Sequence, residues 1–224
     1  MKFKITAFVI FMLLFAGLVA ALQVYDVAAI GPEGTSVGFS KINGLVHEFT
    51  GVNMLWYDIT EWIGFGALGV AALFALTGLV QLIMRKSLLG VDREIYLLAG
   101  LYIVLAGAYV LFEYFIINYR PVIMEGESYP EASFPSSHTL LAFVILGSAI
   151  PLLRKYIRPR GVCVLLQILC VAVILVTVGG RLYSGVHWLT DIVGGVLLGM
   201  ALLFLFGALL GKRKDDYQPM HLKT

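Results

Sequence analysis

Long apolar runs separated by short polar segments cover most of this chain. Six of the runs have about the length needed to cross a hydrocarbon core roughly 30 Å thick, for which an α-helix needs about 20 residues. The expected spans are residues 5–24, 63–84, 95–118, 139–153, 162–179 and 188–210. The fourth run is shorter than the others, so we expect that span to extend or to tilt. The pattern predicts an all-α polytopic membrane protein with six transmembrane helices.

The first apolar run has a second interpretation. Lys2 and Lys4 precede an apolar stretch that ends near Ala20 and Ala21, which is also the pattern of a cleaved signal peptide. The run is longer than the core of an ordinary signal peptide, so we favour an uncleaved anchor. The choice alters the number of helices and leaves the later spans unchanged.

The polar segment between the first two spans, residues 25–60, contains a shorter periodic pattern. Its apolar residues recur at helical spacing and are Phe39, Ile42, Leu45, Val46 and Phe49. The spacing predicts an amphipathic helix on the outer membrane surface or over a functional site. His47 lies in the same stretch, and we interpret this lone loop histidine as a solvated residue rather than a ligand.

Composition supports a membrane protein with one domain. Of the 224 residues, 60% are hydrophobic and 13% are charged, and the mean hydropathy is +0.92. Soluble globular proteins are far less apolar. The net charge of +2 and the scattered basic residues argue against nucleic-acid binding, which needs a concentrated basic face. No repeat or shift in composition marks a second domain, so residues 1–224 are interpreted as a single membrane-embedded unit.

The two cysteines are not expected to form a disulfide. Cys163 and Cys170 lie in one apolar run at a spacing that puts both on the same face of a helix. We interpret them as small core residues.

Lysines and arginines predict the orientation of the spans, because short cytoplasmic loops carry an excess of them. Only Lys41, Arg120 and Arg181 fall on one side of the six-span arrangement. The other side holds Lys2, Lys4, Arg85, Lys86, Arg93, Arg154, Lys155, Arg158, Arg160, Lys212, Arg213, Lys214 and Lys223. We therefore expect a plasma-membrane protein with both termini in the cytoplasm and the first side facing outward.

Candidate chemistry is concentrated on that outward side. Arg181, His187 and Asp191 lie at the entrance of the last span, with the last two at a spacing of one helical turn. A carboxylate in that place can accept the Nδ1 proton of the imidazole and leave Nε2 free as a nucleophile. The alternative is a buried pair that stabilises a helix end, and the nearby arginines favour the chemical interpretation.

Two further segments offer contacts for an anion. Ser136, Ser137 and His138 begin a span, where backbone amides and the positive end of the helix dipole attract negative charge. His138 is a candidate general acid, while the serines are also ordinary helix caps. Arg120 precedes Pro121 at the expected end of the third span. Its planar guanidinium is suited to phosphate oxygens, although an isolated arginine there would simply reach the headgroups.

These segments resemble the type 2 phosphatidic acid phosphatase superfamily. The family pattern is Lys, six residues, Arg-Pro; then Pro-Ser-Gly-His; then Ser-Arg, five residues, His, three residues, Asp. This chain has Glu113, six residues, Arg120-Pro121; Pro135-Ser136-Ser137-His138; and Gly180-Arg181, five residues, His187, three residues, Asp191. The match covers residues 113–191, and the six spans resemble the membrane branch of the family rather than its soluble vanadate-dependent haloperoxidases.

The resemblance implies a role for each matched residue. His187 would form a phosphohistidine, Asp191 would orient it, and His138 would protonate the leaving group. The phosphate would be held by Arg120, Arg181, Ser136 and Ser137. Neither a metal nor another cofactor is implied.

Three positions depart from the family pattern. Ser137 replaces a glycine and Gly180 replaces a serine, and both changes are small. Glu113 replaces a phosphate-binding lysine and reverses its charge. Because Glu113 lies seven residues before Arg120, two helical turns, we expect it to orient Arg120 or Arg181 from behind. The alternative is a weakened or inactive phosphatase.

A site at the outer mouth of a helix bundle suits a lipid whose phosphate lies among the headgroups. By resemblance, the candidate substrates are undecaprenyl pyrophosphate, which we favour, phosphatidylglycerol phosphate and phosphatidic acid. A lipid phosphotransferase using the same histidine, and a lipid-binding membrane protein without activity, are the alternatives.

Overall fold

A computed structural model describes residues 1–211 of the chain. The bounds of its helices are α1 Lys2–Val24, α2 Ser40–Thr50, α3 Met54–Arg85, α4 Arg93–Tyr114, α5 Ser137–Tyr156, α6 Arg160–Tyr183 and α7 Leu189–Leu210. Short 3-10 turns lie at Pro32–Gly34 and Leu88–Gly90. All the α-helices except α2 are long and apolar enough to cross a membrane, so the six predicted spans are confirmed.

Two helices are longer than the apolar runs indicated. Helix α3 begins at Met54 rather than at residue 63, because Asn53 caps it by accepting a hydrogen bond from the Trp56 amide at 3.2 Å. Helix α5 runs over 20 residues, so the short fourth span extends as expected.

The third span ends earlier than expected. Helix α4 stops at Tyr114, and the chain beyond it pairs with a neighbouring segment. The Arg120 amide donates to the Glu131 carbonyl at 2.9 Å, and the Ser133 amide donates to the Asn118 carbonyl at 2.9 Å. Because these backbone groups bond across a turn rather than along a helix, the prediction that Glu113 and Arg120 share a helix face is wrong.

The last span begins later than expected. Helix α7 starts at Leu189, and Trp188 occupies its N-cap position, where its amide donates to Asp191 Oδ2 at 2.9 Å. His187 therefore precedes the helix, and the prediction that it shares a helix face with Asp191 is wrong. The turn nevertheless keeps the His187 Nδ1 and Asp191 Oδ2 atoms 3.7 Å apart.

Helices α5 and α7 form the centre of the bundle. Helix α5 contacts α3, α4, α6 and α7, while α1 packs along α7. Their apolar core is formed by Phe15, Leu22, Leu98, Leu101, Phe134, Leu140, Val144, Leu152, Leu198, Leu202 and Phe206. Both cysteines lie on α6 as free thiols. Burial of α5 and α7 by their neighbours fixes the two helix starts that carry most of the candidate residues.

Helix α2 lies within the segment for which an amphipathic helix was predicted. Its buried Asn43 binds the start of α7: Oδ1 accepts from the Thr190 amide at 3.2 Å, and Nδ2 donates to Thr190 Oγ1 at 3.0 Å. The His47 ring lies 5.4 Å from that of Trp188. Helix α2 therefore contacts Trp188 and Thr190, which lie between His187 and Asp191.

A group of polar side chains joins α3, α4 and α5 at the opposite end of the bundle. Asp92 accepts hydrogen bonds from Arg85 at 2.9 Å, Gln81 at 3.0 Å and Tyr156 at 3.1 Å, and Lys155 lies 3.1 Å away. Burial alone would raise the pKa of Asp92, but hydrogen bonds from Arg85, Lys155 and Tyr156 and the charge of Lys155 lower it to about 2. The basic residues at 212–214 and 223 lie outside the described residues.

Asp92→Asn is expected to destabilise the protein above pH 4. The pKa of Asp92 is below its ordinary 3.8 when folded, so its contribution is present above that value and is lost as pH falls towards about 2. The loss should be below about 2 kcal/mol, because Arg85 and Lys155 are partly exposed. Thermal unfolding in detergent between pH 2 and 7 measures it. Asp58→Asn, an exposed change at the other end of the bundle, is the control, and equal shifts in both variants would contradict the prediction.

Candidate active site

The three motif segments meet at the end of the bundle where α4 and α6 end and α5 and α7 begin. Arg120, Ser137, His138 and His187 line one cavity there. Arg181, Ser136 and Asp191 lie directly behind this lining, each with no exposed surface. The fold thus brings the candidate residues of the three segments together at this end of the bundle.

The cavity has a polar end and an apolar end. Its volume is about 950 Å³. From the candidate residues it continues between α3, α4 and α5 and is lined there by Leu68, Ala71, Tyr102, Leu105, Ala106, Ala108, Phe112, Leu140, Leu141 and Ile145. A molecule with a polar group and an apolar chain matches this division.

The His187 side chain is buried, and among the described residues hydrogen-bond partners are missing around its ring. Neither ring nitrogen has a hydrogen-bond partner within residues 1–211. Burial lowers the pKa of His187, and the positive charges of Arg120 and Arg181 lower it further, while Asp191 acts in the opposite direction. The imidazole is therefore neutral at physiological pH, which is the nucleophilic form.

Asp191 is held by donors other than His187. Asn118 Nδ2 donates to its Oδ1 at 3.0 Å, and the Trp188 amide donates to its Oδ2 at 2.9 Å. The 3.7 Å from Asp191 Oδ2 to His187 Nδ1 is too long for a hydrogen bond. Asp191 thus places a fixed carboxylate beside Nδ1 of His187. The other ring nitrogen of His187, Nε2, is the one farther from that carboxylate.

Arg181 is completely buried near the end of α6. Its Nη2 donates to Glu61 Oε2 at 2.7 Å, and its guanidinium lies 4.8 Å from the centre of the Tyr57 ring. Its Nε and Nη1 atoms have no partner in the part of the chain that the structure describes. The ion pair and the aromatic ring fix the guanidinium plane and leave donors for a ligand.

Arg120 is anchored by the turn that follows α4. Its Nε lies 3.0 Å from Glu131 Oε2, an ion pair without hydrogen-bond alignment, and its Nη1 is buried without a partner among residues 1–211. The Tyr119 carbonyl accepts a hydrogen bond from Trp188 Nε1 at 2.7 Å. The α4–α5 segment is thereby fastened beside the His187 turn.

The start of α5 places His138 against α3. His138 Nε2 lies 3.1 Å from Glu61 Oε2, and Ser137 Oγ lies 3.5 Å from His138 Nδ1. A Cβ at Gly64 would come within 2.8 Å of the His138 ring, so only glycine permits this approach. The Ser136 amide donates to the Asp191 carbonyl at 3.0 Å, while its buried hydroxyl has no partner in the described chain.

Unsatisfied buried donors are concentrated around this end of the cavity. Within residues 1–211 they include Arg120 Nη1, Arg181 Nε and Nη1, and Ser136 Oγ. Leaving such groups unpaired costs about 1–3 kcal/mol each, and more for charged groups. An anion with several acceptor oxygens would satisfy them together. The described residues contain no group of three or more His, Cys, Asp or Glu side chains arranged to hold a metal ion.

Comparison with known proteins gives the family. The sequence pattern of the PAP2 superfamily matches residues 66–215, more than half of the chain. The chain belongs to the PAP2 superfamily. The resemblance inferred from the three motifs is thereby confirmed. No curated protein matches the chain.

A solved PAP2 structure has the same fold. It is the crystal structure of the first transmembrane PAP2 type phosphatidylglycerolphosphate phosphatase from Bacillus subtilis. The two chains are 19% identical, with a TM-score of 0.66, and the alignment covers 94% of this chain and 98% of the other. At this identity the likeness establishes the helical membrane fold alone.

Glu113 departs most from the PAP2 pattern, and its position differs from our expectation. It is exposed and lines the cavity, but within the described chain it forms an ion pair with neither arginine. Glu131 pairs with Arg120, and Glu61 pairs with Arg181. The carboxylates that orient the arginines are therefore different residues from the one predicted.

Gly180 departs from the PAP2 pattern for a steric reason. A Cβ at this position would lie 2.6 Å from Thr60 Cγ2 and 3.0 Å from Trp56 Cε3, so α3 leaves no room for a serine.

Sequence patterns do not reveal several residues of the site, among them Glu61 and Asn118. Glu61 lies between the polar segment 25–60 and the span expected from residue 63, and it belongs to α3 because that helix begins at Met54. An ionisable residue inside α3 is the signal that could have found it. Asn118 was assigned to the end of a helix, and no local pattern connects it with Asp191, which lies 73 positions later.

Proposed function

We propose that this protein is a membrane lipid phosphatase that works without a metal through a phosphohistidine intermediate. The observation that carries the proposal is the group of unsatisfied buried donors around His187, at one end of a cavity whose other end is apolar. PAP2 membership supports phosphate chemistry for these residues. Phosphate oxygens are the acceptors that paired guanidinium groups bind best.

In the first step, Nε2 of His187 attacks phosphorus as the bond to the leaving oxygen breaks. Arg120, Arg181 and the Ser136 hydroxyl donate to the phosphoryl oxygens and stabilise the charge that spreads over them. His138, protonated at both ring nitrogens, gives one proton to the leaving oxygen and becomes neutral. Asp191 stabilises the positive charge that phosphorylated His187 acquires, and Ser137 supports His138.

In the second step, a water molecule attacks the phosphohistidine and His138 takes one of its protons. The nitrogen–phosphorus bond breaks, inorganic phosphate forms, and His187 becomes neutral again. The lowered pKa of His187 supports this cycle, because the free imidazole does not compete for a proton at neutral pH.

The apolar end of the cavity supports a lipid substrate. Its lining comes from α3, α4 and α5, so an acyl or prenyl chain would lie between these helices while the phosphate reaches His187. We favour undecaprenyl pyrophosphate, with the site facing outward from a plasma membrane and both termini in the cytoplasm. The excess of basic residues at the opposite end of the bundle supports that orientation.

Phosphate release from a panel of lipids tests the function. Purified protein in detergent is given undecaprenyl pyrophosphate, undecaprenyl phosphate, phosphatidylglycerol phosphate and phosphatidic acid, and inorganic phosphate is measured. We expect the highest kcat/KM for undecaprenyl pyrophosphate. Loss of substrate with transfer of its phosphate to an added alcohol, and no inorganic phosphate, would identify a phosphotransferase. If none of the lipids reacts, the result would support the alternative of a lipid-binding membrane protein without activity.

Glu113→Lys is expected to raise kcat/KM by up to about tenfold. The change removes a negative charge from the cavity lining and adds a positive one, which strengthens binding of an anionic headgroup without disturbing either arginine pair. Steady-state kinetics with the best lipid of the panel measures the effect. A large loss of activity with unchanged thermal stability would instead show that Glu113 has a role of its own.

A further inference from the structure

A carboxylate outside the PAP2 motifs joins two residues of the site. Glu61 Oε2 lies 2.7 Å from Arg181 Nη2 and 3.1 Å from His138 Nε2. The three side chains come from α3, α6 and α5. One oxygen atom therefore connects the arginine assigned to phosphate binding with the histidine assigned to proton donation.

This contact fixes a proton on one particular nitrogen of His138. An ionised carboxylate only accepts hydrogen bonds, so Nε2 of His138 must be the donor to Glu61. Both side chains line the cavity, which places this N–H beside the substrate's position. In the doubly protonated form of His138, Glu61 thus holds the Nε2 proton on the side where a leaving oxygen would receive it. Transfer of that proton leaves a neutral ring whose other proton is on Nδ1.

The same contact weakens Arg181 as a phosphate ligand. Glu61 occupies one guanidinium donor and neutralises part of its charge before any substrate arrives. Its own side chain remains 33% exposed towards the cavity, so a bound phosphate would meet this negative charge directly. A carboxylate in this position opposes tight binding of phosphate, including the phosphate that the reaction releases.

On the basis of the phosphatase function proposed above, we propose that Glu61 is a positioning residue with two effects. It keeps the proton on His138 Nε2 for delivery to the leaving oxygen, and it moderates the affinity of Arg181 for phosphate so that the product leaves. Neither effect requires Glu61 to contact the reacting atoms. The two effects change binding and turnover in opposite directions, which a purely structural role would not do.

Glu61→Gln tests both effects. Binding of inorganic phosphate, measured by calorimetry in detergent, is expected to tighten about tenfold because one nearby negative charge is removed. The kcat for a lipid phosphomonoester should fall by about tenfold or more, because its alkoxide leaving group needs the proton. The kcat for p-nitrophenyl phosphate should fall much less, because nitrophenolate leaves without protonation.

Asp58→Asn is the matched control, since it removes a charge from an exposed position three residues earlier on α3. It should alter none of these quantities. Weaker phosphate binding by Glu61→Gln, or equal losses with both substrates, would overturn the proposal. If Glu61→Gln does not fold, Glu61→Asp should tighten phosphate binding because its shorter side chain loses Arg181, and weaker binding would again overturn it. A wild-type protein that releases no phosphate would refute the phosphatase function, while calorimetry would still measure the effect of residue 61.

Discussion

Replacing His187 with alanine is expected to reduce phosphate release from every lipid phosphate to the level of a protein-free control. The reaction requires a nitrogen nucleophile beside the bound phosphorus, and His138, the other imidazole that lines the cavity, has its Nε2 engaged by Glu61 at 3.1 Å. The alanine removes a buried polar ring without leaving a charge unpaired, so the fold should survive. Phosphate release and thermal unfolding in detergent measure the two properties separately.

Trapping of the intermediate makes this prediction specific to a nucleophile. Substrate labelled in the transferred phosphate should label the wild-type protein when the reaction is stopped in alkali, where phosphohistidine is stable. His187→Ala should carry no label. Asp191→Asn should retain substrate binding and label slowly, because Asp191 supports the charged intermediate without forming the bond. Normal turnover in both variants would refute the assignment.

Replacing Arg181 with lysine should lower kcat/KM by about 100-fold or more, although the charge is kept. The guanidinium is fully buried, donates to Glu61 at 2.7 Å and lies on the Tyr57 ring, and two of its nitrogens have no partner among residues 1–211. A lysine ammonium cannot contact Glu61 and a phosphate through separate, fixed donors. Steady-state kinetics with the preferred lipid measures the loss.

Arg160→Lys provides the control for this substitution. Arg160 begins the same helix, α6, at the opposite end of the bundle, where it is exposed. The control should keep wild-type kinetics. If Arg181→Lys also keeps them, a point charge is sufficient and the planar group has no part in phosphate recognition.

The membrane fold could be predicted from sequence because hydrocarbon imposes a simple rule on each segment. Backbone groups in a bilayer must bond internally, so each long apolar run has to be a helix. The positions of helix ends depend on weaker and more local interactions. The Asn53 cap extends α3 into a polar stretch, whereas pairing of residues 118–120 with residues 131–133 ends α4 early.

The motif residues of the site could be predicted for a related reason. Arg120, His138, Arg181 and His187 stand in short polar breaks between apolar runs, where an ionisable group is conspicuous. Glu61 and Asn118 act through partners from distant parts of the sequence. Their contacts with Arg181 and Asp191 depend on how α3, α6 and the α4–α5 segment pack, and a one-dimensional pattern does not contain that information.

The steric contact at Gly180 implies that this position and position 60 cannot vary independently. A serine at 180 would overlap Thr60, so a chain that carries the family serine needs a smaller residue at 60 or a displaced α3. Because Glu61 directly follows Thr60, such a displacement would also move the carboxylate that joins Arg181 and His138. Among relatives, we expect glycine at 180 to occur together with threonine or a larger residue at 60. The single change Gly180→Ser should therefore lower the activity of this protein. Adding Thr60→Ala to that variant should restore the activity.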